Sequence, residues 1–468
     1  MKRTAIVSTL GPATNTEDKI EDLVEAGVNV FRLNFSHGDH EGKKELFERI
    51  RNVSEDVAIM ADTQGPEIRL NEVEDGTVIE PGDEIRLTTG DVVGDANRVA
   101  VDYDALVDHL SEGDRVMVDD GKLELKVKGI EGEDAVCEIV HGGDLKSNKS
   151  VNVPGKDVGM QAPTEKDKKD IAHAAKLDAD LISLSFVKHP DDIKETREVL
   201  EENGASDTKI VAKIEHLKAL DNYDEILEET DGIMVARGDL GVEADPSRLP
   251  LLQKEQIKKA NKAGKPVITA TQMLESMTEN PSATRAEISD VANAVLDGSD
   301  AVMLSGETAV GDYPVETVQF MSEVVEKAEK RLAGQEHHTV DDKAENVTDA
   351  ISKSVYQASE DLDVDYIFAH SVSGFTARNV SRFRPTTPIL AFTPSDKVKR
   401  QLQLVWGVEP VREEFADEPQ QMIEKSVGTV FEERDVDEDA SFISTAGIPA
   451  SSSGTTNMMQ VRRFEEFL

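Results

Sequence analysis

The chain has one cysteine, Cys137, in 468 residues. It can form no intrachain disulfide, which fits a reducing, cytoplasmic interior. No apolar run approaches the ~20 residues that a membrane span requires. The opening stretch, MKRTAIVSTLGPAT, carries basic residues and a short apolar run. It lacks a small-residue cleavage site and breaks at Gly11-Pro12, so no secretory signal is expected. Basic residues are in deficit: 52 Lys+Arg stand against 94 Asp+Glu, for a net charge of −42. That balance argues against nucleic acid or an anionic membrane as the main partner.

What is there is regular. Apolar segments recur along the whole chain, which excludes a disordered acidic protein. The acid is dispersed, as in EEFADEP, DVDEDA and EVEDGT. Such a surface repels itself in dilute buffer and is better tolerated under strong screening. It resembles the surfaces of proteins from salt-loving archaea. The first two-thirds alternate between short β-branched runs and amphipathic stretches of helical spacing. The strand candidates are TAIVST, VNVFRLNFS, VAIMADT, DLISLSFV, KIVAKIE, GIMVARGD, PVITATQ and AVMLSGE. Eight strand-helix units in a row predict a (β/α)8 barrel; a doubly wound open sheet is the alternative, and the number of units favours the barrel.

About a hundred residues separate the third strand, ending at Asp62-Thr63, from the fourth. Much of this interval reads as short alternating strands with glycine turns, an all-β insertion set over the barrel mouth as a lid. After Arg331 a polar connection, GQEHHTVDDKAENV, leads into a separate α/β domain. The expected division is 1–65 with 164–333 for the barrel, 66–163 for the lid and 334–468 for the C-terminal domain.

In a barrel, every strand's C-terminal end faces one mouth, where reactive residues belong. These ends read Ser8-Thr9, Arg32-Asn34-Ser36-His37, Asp62-Thr63, Ser183-Ser185, Lys213-Glu215, Arg237-Asp239, Thr269-Thr271-Gln272 and Ser305-Glu307. Glu215 and Asp239, on neighbouring strands, can hold one hard divalent cation, Mg²⁺ or Mn²⁺. They are also two acids among 94, and spacing alone leaves an unrelated pair open. Lys213 shares a strand face with Glu215, and a phosphoryl anion between them would make its burial tolerable. Arg32, His37 and Arg69 could add charge for phosphates. His37 taken alone reads equally well as a structural histidine. Asn34, Ser36, Asp62 and Thr63 offer hard oxygens suited to a monovalent cation. Arg237-Gly238-Asp239 also spells an adhesion tripeptide, but a buried strand end does not present it.

Together the motifs STLGPAT, FRLNFSHG, DTQGPEIR, KIEH, DGIMVARGDLGVE, TATQMLESM, VMLSGETAVGDYP and SGTTN resemble the pyruvate kinase family along the whole chain. The resemblance implies transfer of a phosphoryl group from phosphoenolpyruvate to ADP, giving pyruvate and ATP. It implies that Glu215 and Asp239 hold Mg²⁺ and that Lys213 stabilises the phosphoryl group in flight. Arg32 would contact the substrate phosphate. The amides around Gly238 and Asp239, with the Thr271 hydroxyl, would hold the substrate carboxylate. Asn34, Ser36, Asp62 and Thr63 would bind K⁺. Arg32, Asn34, His37, Arg69 and Lys149 would meet the nucleotide. Ser305, through water with Thr271 and Glu307, would help deliver the proton to enolpyruvate. In relatives, the loop matching Ser371, Ser373, Gly374 and Thr376 takes a sugar-phosphate effector; a plain strand-to-helix turn accounts for these residues equally well. A homotetramer is expected by resemblance. The sequence stops soon after SGTTN, so no appended phosphohistidine-type domain is expected.

Two positions depart from the pattern. Gln64 stands where K⁺-dependent members carry lysine, and Leu70 where they carry threonine. Glu67 matches the K⁺-dependent members, whereas K⁺-independent ones carry lysine there. K⁺ dependence is therefore expected.

Overall fold

The structure is a computed structural model that describes residues 2–332, 343–416, 418–448 and 454–467. Most of the expected polar connection at 334–347 lies outside these residues, as does the expected domain boundary.

Eight parallel strands close into a barrel. They are β1 (Ala5–Thr9), β2 (Val30–Asn34), β3 (Ala58–Asp62), β4 (Leu181–Leu184), β5 (Lys209–Ile214), β6 (Gly232–Ala236), β7 (Val267–Ala270) and β8 (Ala301–Leu304). Each pairs with its sequence neighbours, and β8 returns to β1 with Ala5 opposite Ala301. The strands are buried on both faces, which is why they do not alternate. On β6, Ile233 and Val235 face the surrounding helices, while Met234 joins the barrel interior with Val7, Met60 and Ile268. β6 ends at Ala236, earlier than the sequence reading, and Arg237–Glu243 form a short helix, α1.

The insertion is a seven-stranded sheet whose strands run from Ile68 to Asn152. Its longest ribbon pairs Leu123–Glu131 with Asp134–His141. Its two edges meet through Asn71 N–H to the Ala100 carbonyl (2.9 Å) and Asp102 N–H to the Arg69 carbonyl (3.0 Å). The sheet therefore closes on its own apolar core, which includes Ile85, Val116, Leu125 and Cys137.

The C-terminal domain is a five-stranded sheet. Its strands are β9 (Tyr366–His370), β10 (Ile389–Thr393), β11 (Val408–Arg412), β12 (Ser441–Ala446) and β13 (Met458–Arg463). The sequence reading missed β11, an edge strand interrupted by Pro410 and only half-buried. Between β10 and β11 the chain forms a short helix, Asp396–Gln401, followed by a separate turn, Leu402–Leu404. Further helices include α2 (Leu249–Lys262) of the barrel, and α3 (Val347–Leu362) and α4 (Phe375–Ser381) of the C-terminal domain.

The C-terminal domain docks on the barrel end opposite the site. Leu404 packs into the barrel interior beside Leu181, Val211 and Ala301. Arg400 Nε donates to Asp180 Oδ1 at 2.6 Å, and Asp180 also accepts the Ile59 N–H at 2.8 Å. Arg384 donates to Asp300 at 2.9 Å, and Asp300 accepts the Val267 N–H at 3.0 Å. Among the described residues, no helix is long and apolar enough to cross a membrane.

Candidate active site

The C-terminal ends of the barrel strands converge on one polar cluster. Lys213, from β5, is 9% exposed. Its ammonium donates to Ser185 Oγ at 2.6 Å and lies 2.9 Å from Glu215 and 3.4 Å from Asp62. Burial alone would lower its pKa, but the charges of Asp62 and Glu215 overcome this and raise it, so the lysine stays charged. Asp62 also accepts both Nε (2.9 Å) and a terminal nitrogen of Arg32, and Ser183 Oγ. Burial would raise its pKa, yet Arg32, Lys213 and Ser183 hold it below the usual carboxylate range.

Glu215 and Asp239 face each other. Burial and the neighbouring Asp239 push Glu215 up to about 7, against the opposing pull of Lys213 and the Phe186 N–H. Burial likewise raises Asp239, with Asp120 and Glu67 adding repulsion while Lys213 and the bond to Glu215 lower it. A buried carboxyl pair with raised proton affinity is a place that gains from a cation. The donor set of two carboxylate groups leaves most of a hard divalent ion's coordination to water or substrate oxygens, which suits Mg²⁺. Among the described residues, no three-residue His, Cys, Asp and Glu cage exists, so the chain alone does not saturate an ion.

The sign of this arrangement sets a measurable pH dependence. Glu215 takes up a proton more readily folded than unfolded, so the folded chain is penalised as pH rises from 4.5 to about 7. Without divalent cation, the thermal midpoint should fall across that window. Mg²⁺ should restore it most on the alkaline side. The fall should shrink in Glu215→Gln; an unchanged profile there would show that other groups cause it.

The turn after β7 is strained. Thr271 has φ 68° and Gln272 φ 55°, left-handed values that cost a β-branched residue energy and need support. Arg237 supplies it. Its guanidinium donates to the Thr271 carbonyl at 2.7 Å and the Ala270 carbonyl at 3.3 Å, and pairs with Asp290 at 2.6 Å. Arg237 therefore has a structural partner. The Gly238 N–H donates to Thr271 Oγ1 at 2.8 Å. Glu307 ties the ends of β7 and β8 together, accepting the N–H groups of Ser305 (2.7 Å) and Leu274 (3.2 Å).

The remaining candidates surround this centre. Asn34 Oδ1 accepts the Ser36 N–H at 3.0 Å. The Thr63 carbonyl accepts Ser185 Oγ at 2.7 Å, and the Thr63 hydroxyl accepts the Ser185 N–H at 3.0 Å. His37 is exposed. On the lid, Arg69 pairs with Glu67 at 2.7 Å and Lys149 with Asp119 at 2.7 Å. The effector-loop candidates lie in the C-terminal domain, away from this cluster. Ser371 Oγ accepts the Thr376 N–H at 3.2 Å, Gly374 has φ 75°, and the Ser373 carbonyl accepts from Arg378 at 3.0 Å. Thr376 meets Thr456 of the SGTTN segment at 3.0 Å. Sequence reasoning missed the Lys213–Ser185 bond, the Phe186 amide on Glu215, and Asp120 beside Asp239. Each reaches the site from another strand or from the lid, and spacing along the chain carries no signal for it.

Family models agree with this layout. Residues 1–318 match "Pyruvate kinase, barrel domain" and residues 349–462 match "Pyruvate kinase, alpha/beta domain". The chain belongs to the pyruvate kinase family. Pyruvate kinases of Staphylococcus aureus strains MRSA252 and USA300 are each 45% identical over 473 residues, covering 98% of this chain and 80% of the relative. A crystal structure of a pyruvate kinase from Cryptosporidium parvum superposes with a TM-score of 0.92 at 36% identity, covering 99% of this chain and 96% of its own.

Proposed function

We propose that this chain is a working pyruvate kinase that moves the phosphoryl group of phosphoenolpyruvate to ADP, releasing pyruvate and ATP. The observation that carries this is a charged, buried Lys213 set between Asp62 and Glu215, with Asp239 beside them. Phosphoryl transfer needs positioning and charge neutralisation more than covalent chemistry. Lys213 is held where its charge can follow the phosphoryl group from donor to acceptor. Arg32, anchored on Asp62 and Thr9, would contact the substrate phosphate. The amides of Gly238 and Asp239 open α1 and are suited to the substrate carboxylate, with the Thr271 hydroxyl exchanging its present bonds for that group. Glu215 and Asp239 would hold Mg²⁺, which when bound supplies positive charge against the transferring phosphate and the developing enolate. Ser305, with Thr271 and Glu307, would serve proton delivery through water. The lid, assigned to 66–163, would exclude water and bring Arg69 and Lys149 to the nucleotide beside Asn34 and His37.

The same reading assigns K⁺ to Asn34, Ser36, Asp62 and Thr63. It makes the protein cytoplasmic, halophilic and homotetrameric. The loop of Ser371, Ser373, Gly374 and Thr376 would be a phosphate effector site, its hydroxyls and Gly374 supplying the nest. The test is an assay at high salt with phosphoenolpyruvate, ADP, Mg²⁺ and K⁺, reading ATP and pyruvate together. No ATP above background would defeat the proposal. With Na⁺ or tetramethylammonium replacing K⁺, activity should nearly vanish; full activity would remove the K⁺ assignment and leave the rest standing.

A further inference from the structure

Where the chain returns from the lid, at 153–160, three buried side chains from successive barrel strands hold it. Lys188, after β4, is 6% exposed, and its ammonium donates to Asp157 Oδ1 at 2.9 Å and to the Met160 carbonyl at 2.8 Å. His216, after β5, accepts the Lys218 N–H on Nδ1 at 3.0 Å. Its proton therefore sits on Nε2, which donates to the Lys156 carbonyl at 3.1 Å and lies 3.7 Å from Glu243. Glu243, the last residue of α1, accepts the Gly155 N–H at 3.1 Å. The same segment is fixed to the lid on its other side. Lys156 Nζ donates to the His109 carbonyl at 2.8 Å and to Ser111 Oγ at 2.9 Å, and the Tyr103 hydroxyl donates to the Val158 carbonyl at 2.8 Å.

Of the three, Glu243 alone stands on the helix whose opening amides suit the substrate carboxylate. α1 has seven residues, about two turns, with Gly238 and Asp239 at one end and Glu243 at the other. A shift at Glu243 therefore reaches those amides through one short rigid element. Glu243 is only 7% exposed. Burial pushes its carboxyl up to about 7, against the opposing pull of the Gly155 N–H and Lys188. An apolar side chain of similar size would avoid that desolvation cost, but it could not hold Gly155. Beside Glu243 lies a cavity of about 50 Å³. Glu67 and Ile68 line it where the chain enters the lid, Val153 and Val158 where it leaves, and Phe186 from the barrel. Both crossings border space into which they can shift.

We propose that Glu243 is a positioning residue that couples the lid to α1, so that nucleotide beneath the lid and a carboxylate on the α1 amides strengthen each other's binding. This rests on the proposed function, in which the lid carries nucleotide contacts and α1 receives the substrate carboxylate. Glu243 touches neither ligand. As the lid moves onto the nucleotide, Gly155 moves with it, and its bond to Glu243 carries the motion to the far end of α1. A nucleotide that favours one lid position thereby favours one placement of the Gly238 and Asp239 amides, and linkage makes the effect mutual.

Pyruvate and ADP do not react with each other, so their joint binding can be read at equilibrium. Pyruvate is titrated calorimetrically into the full chain with Mg²⁺ and K⁺, with and without saturating ADP. In the unmodified chain ADP should tighten pyruvate binding about fivefold or more. That ratio should fall to about one in Glu243→Leu and Glu243→Ala, which cannot accept from Gly155. It should persist in Glu243→Gln, whose amide oxygen can. Affinity for ADP alone should stay within about twofold in the Leu and Ala variants, which also shows that they fold; if one does not, the other carries the test. A ratio near one in the unmodified chain, or a ratio unchanged in the Leu and Ala variants, would overturn the proposal. So would pyruvate binding weakened equally with and without ADP, the mark of a merely structural carboxyl. ATP formation by the unmodified chain is measured alongside. If ATP forms and the coupling is absent, this inference alone falls; if ADP and pyruvate do not bind at all, the proposed function falls with it.

Discussion

Lys213→Met is expected to lower kcat by about 10³-fold or more while phosphoenolpyruvate still binds within a few-fold of its normal affinity. Methionine keeps the length of the side chain and removes its charge. The ground-state substrate retains Arg32 and the amides of α1, so most binding contacts remain. What is lost is the charge that meets the phosphoryl group between donor and acceptor, a term that counts in the transition state. Asp62 keeps Arg32 as a partner, whereas Glu215 loses its nearest cation. Calorimetric binding of phosphoenolpyruvate, run beside steady-state turnover, separates the two effects. Equal turnover would show that the lysine is misassigned.

Glu215→Gln is expected to cut activity by about 10²-fold or more and to shift the Mg²⁺ requirement upward by a similar factor. Glutamine preserves the shape and can still accept the Phe186 N–H, which lies 2.6 Å from Glu215 Oε2 in the present structure. It removes one of the two charges that make the pair receptive to a cation. Turnover measured across a wide Mg²⁺ range reads both numbers. An unchanged Mg²⁺ dependence would move the ion elsewhere. Asp239→Asn should behave similarly, because it removes the other of the two charges, and burial raises the proton affinity of both groups.

The two variants probe different parts of what the sequence made legible. The barrel could be read because parallel strands buried on both faces leave continuous apolar runs, such as Ile233 to Ala236. Their polar ends then announce the mouth. The lid could be read because its strands alternate, as in LELKVKGIE, and so differ in period from the strands around them. β11 could not, since an edge strand with a proline carries neither pattern. In the site, Lys213 and Glu215 are two apart on one strand, so their shared face follows from geometry. Asp62 was read only as an oxygen donor for a monovalent ion. Its place between Arg32 and Lys213 depends on the register that sets Asn34 opposite Asp62 and Asp62 opposite Ser183. Arg237 shows the same limit. Its role rests on Asp290, more than fifty residues away, and on a turn whose positive φ values no residue type there advertises.

The far end of the barrel carries a consequence of its own. Leu404 fills the barrel floor, and Asp180 and Asp300, just ahead of β4 and β8, are each gripped by an arginine of the C-terminal domain. Cut away at the connection, the barrel would expose an apolar opening and leave two buried carboxylates without those partners. The catalytic domain is thus not a detachable module. Its hydrophobic core is completed by the last third of the chain, and the two must be inherited, expressed and engineered as one unit.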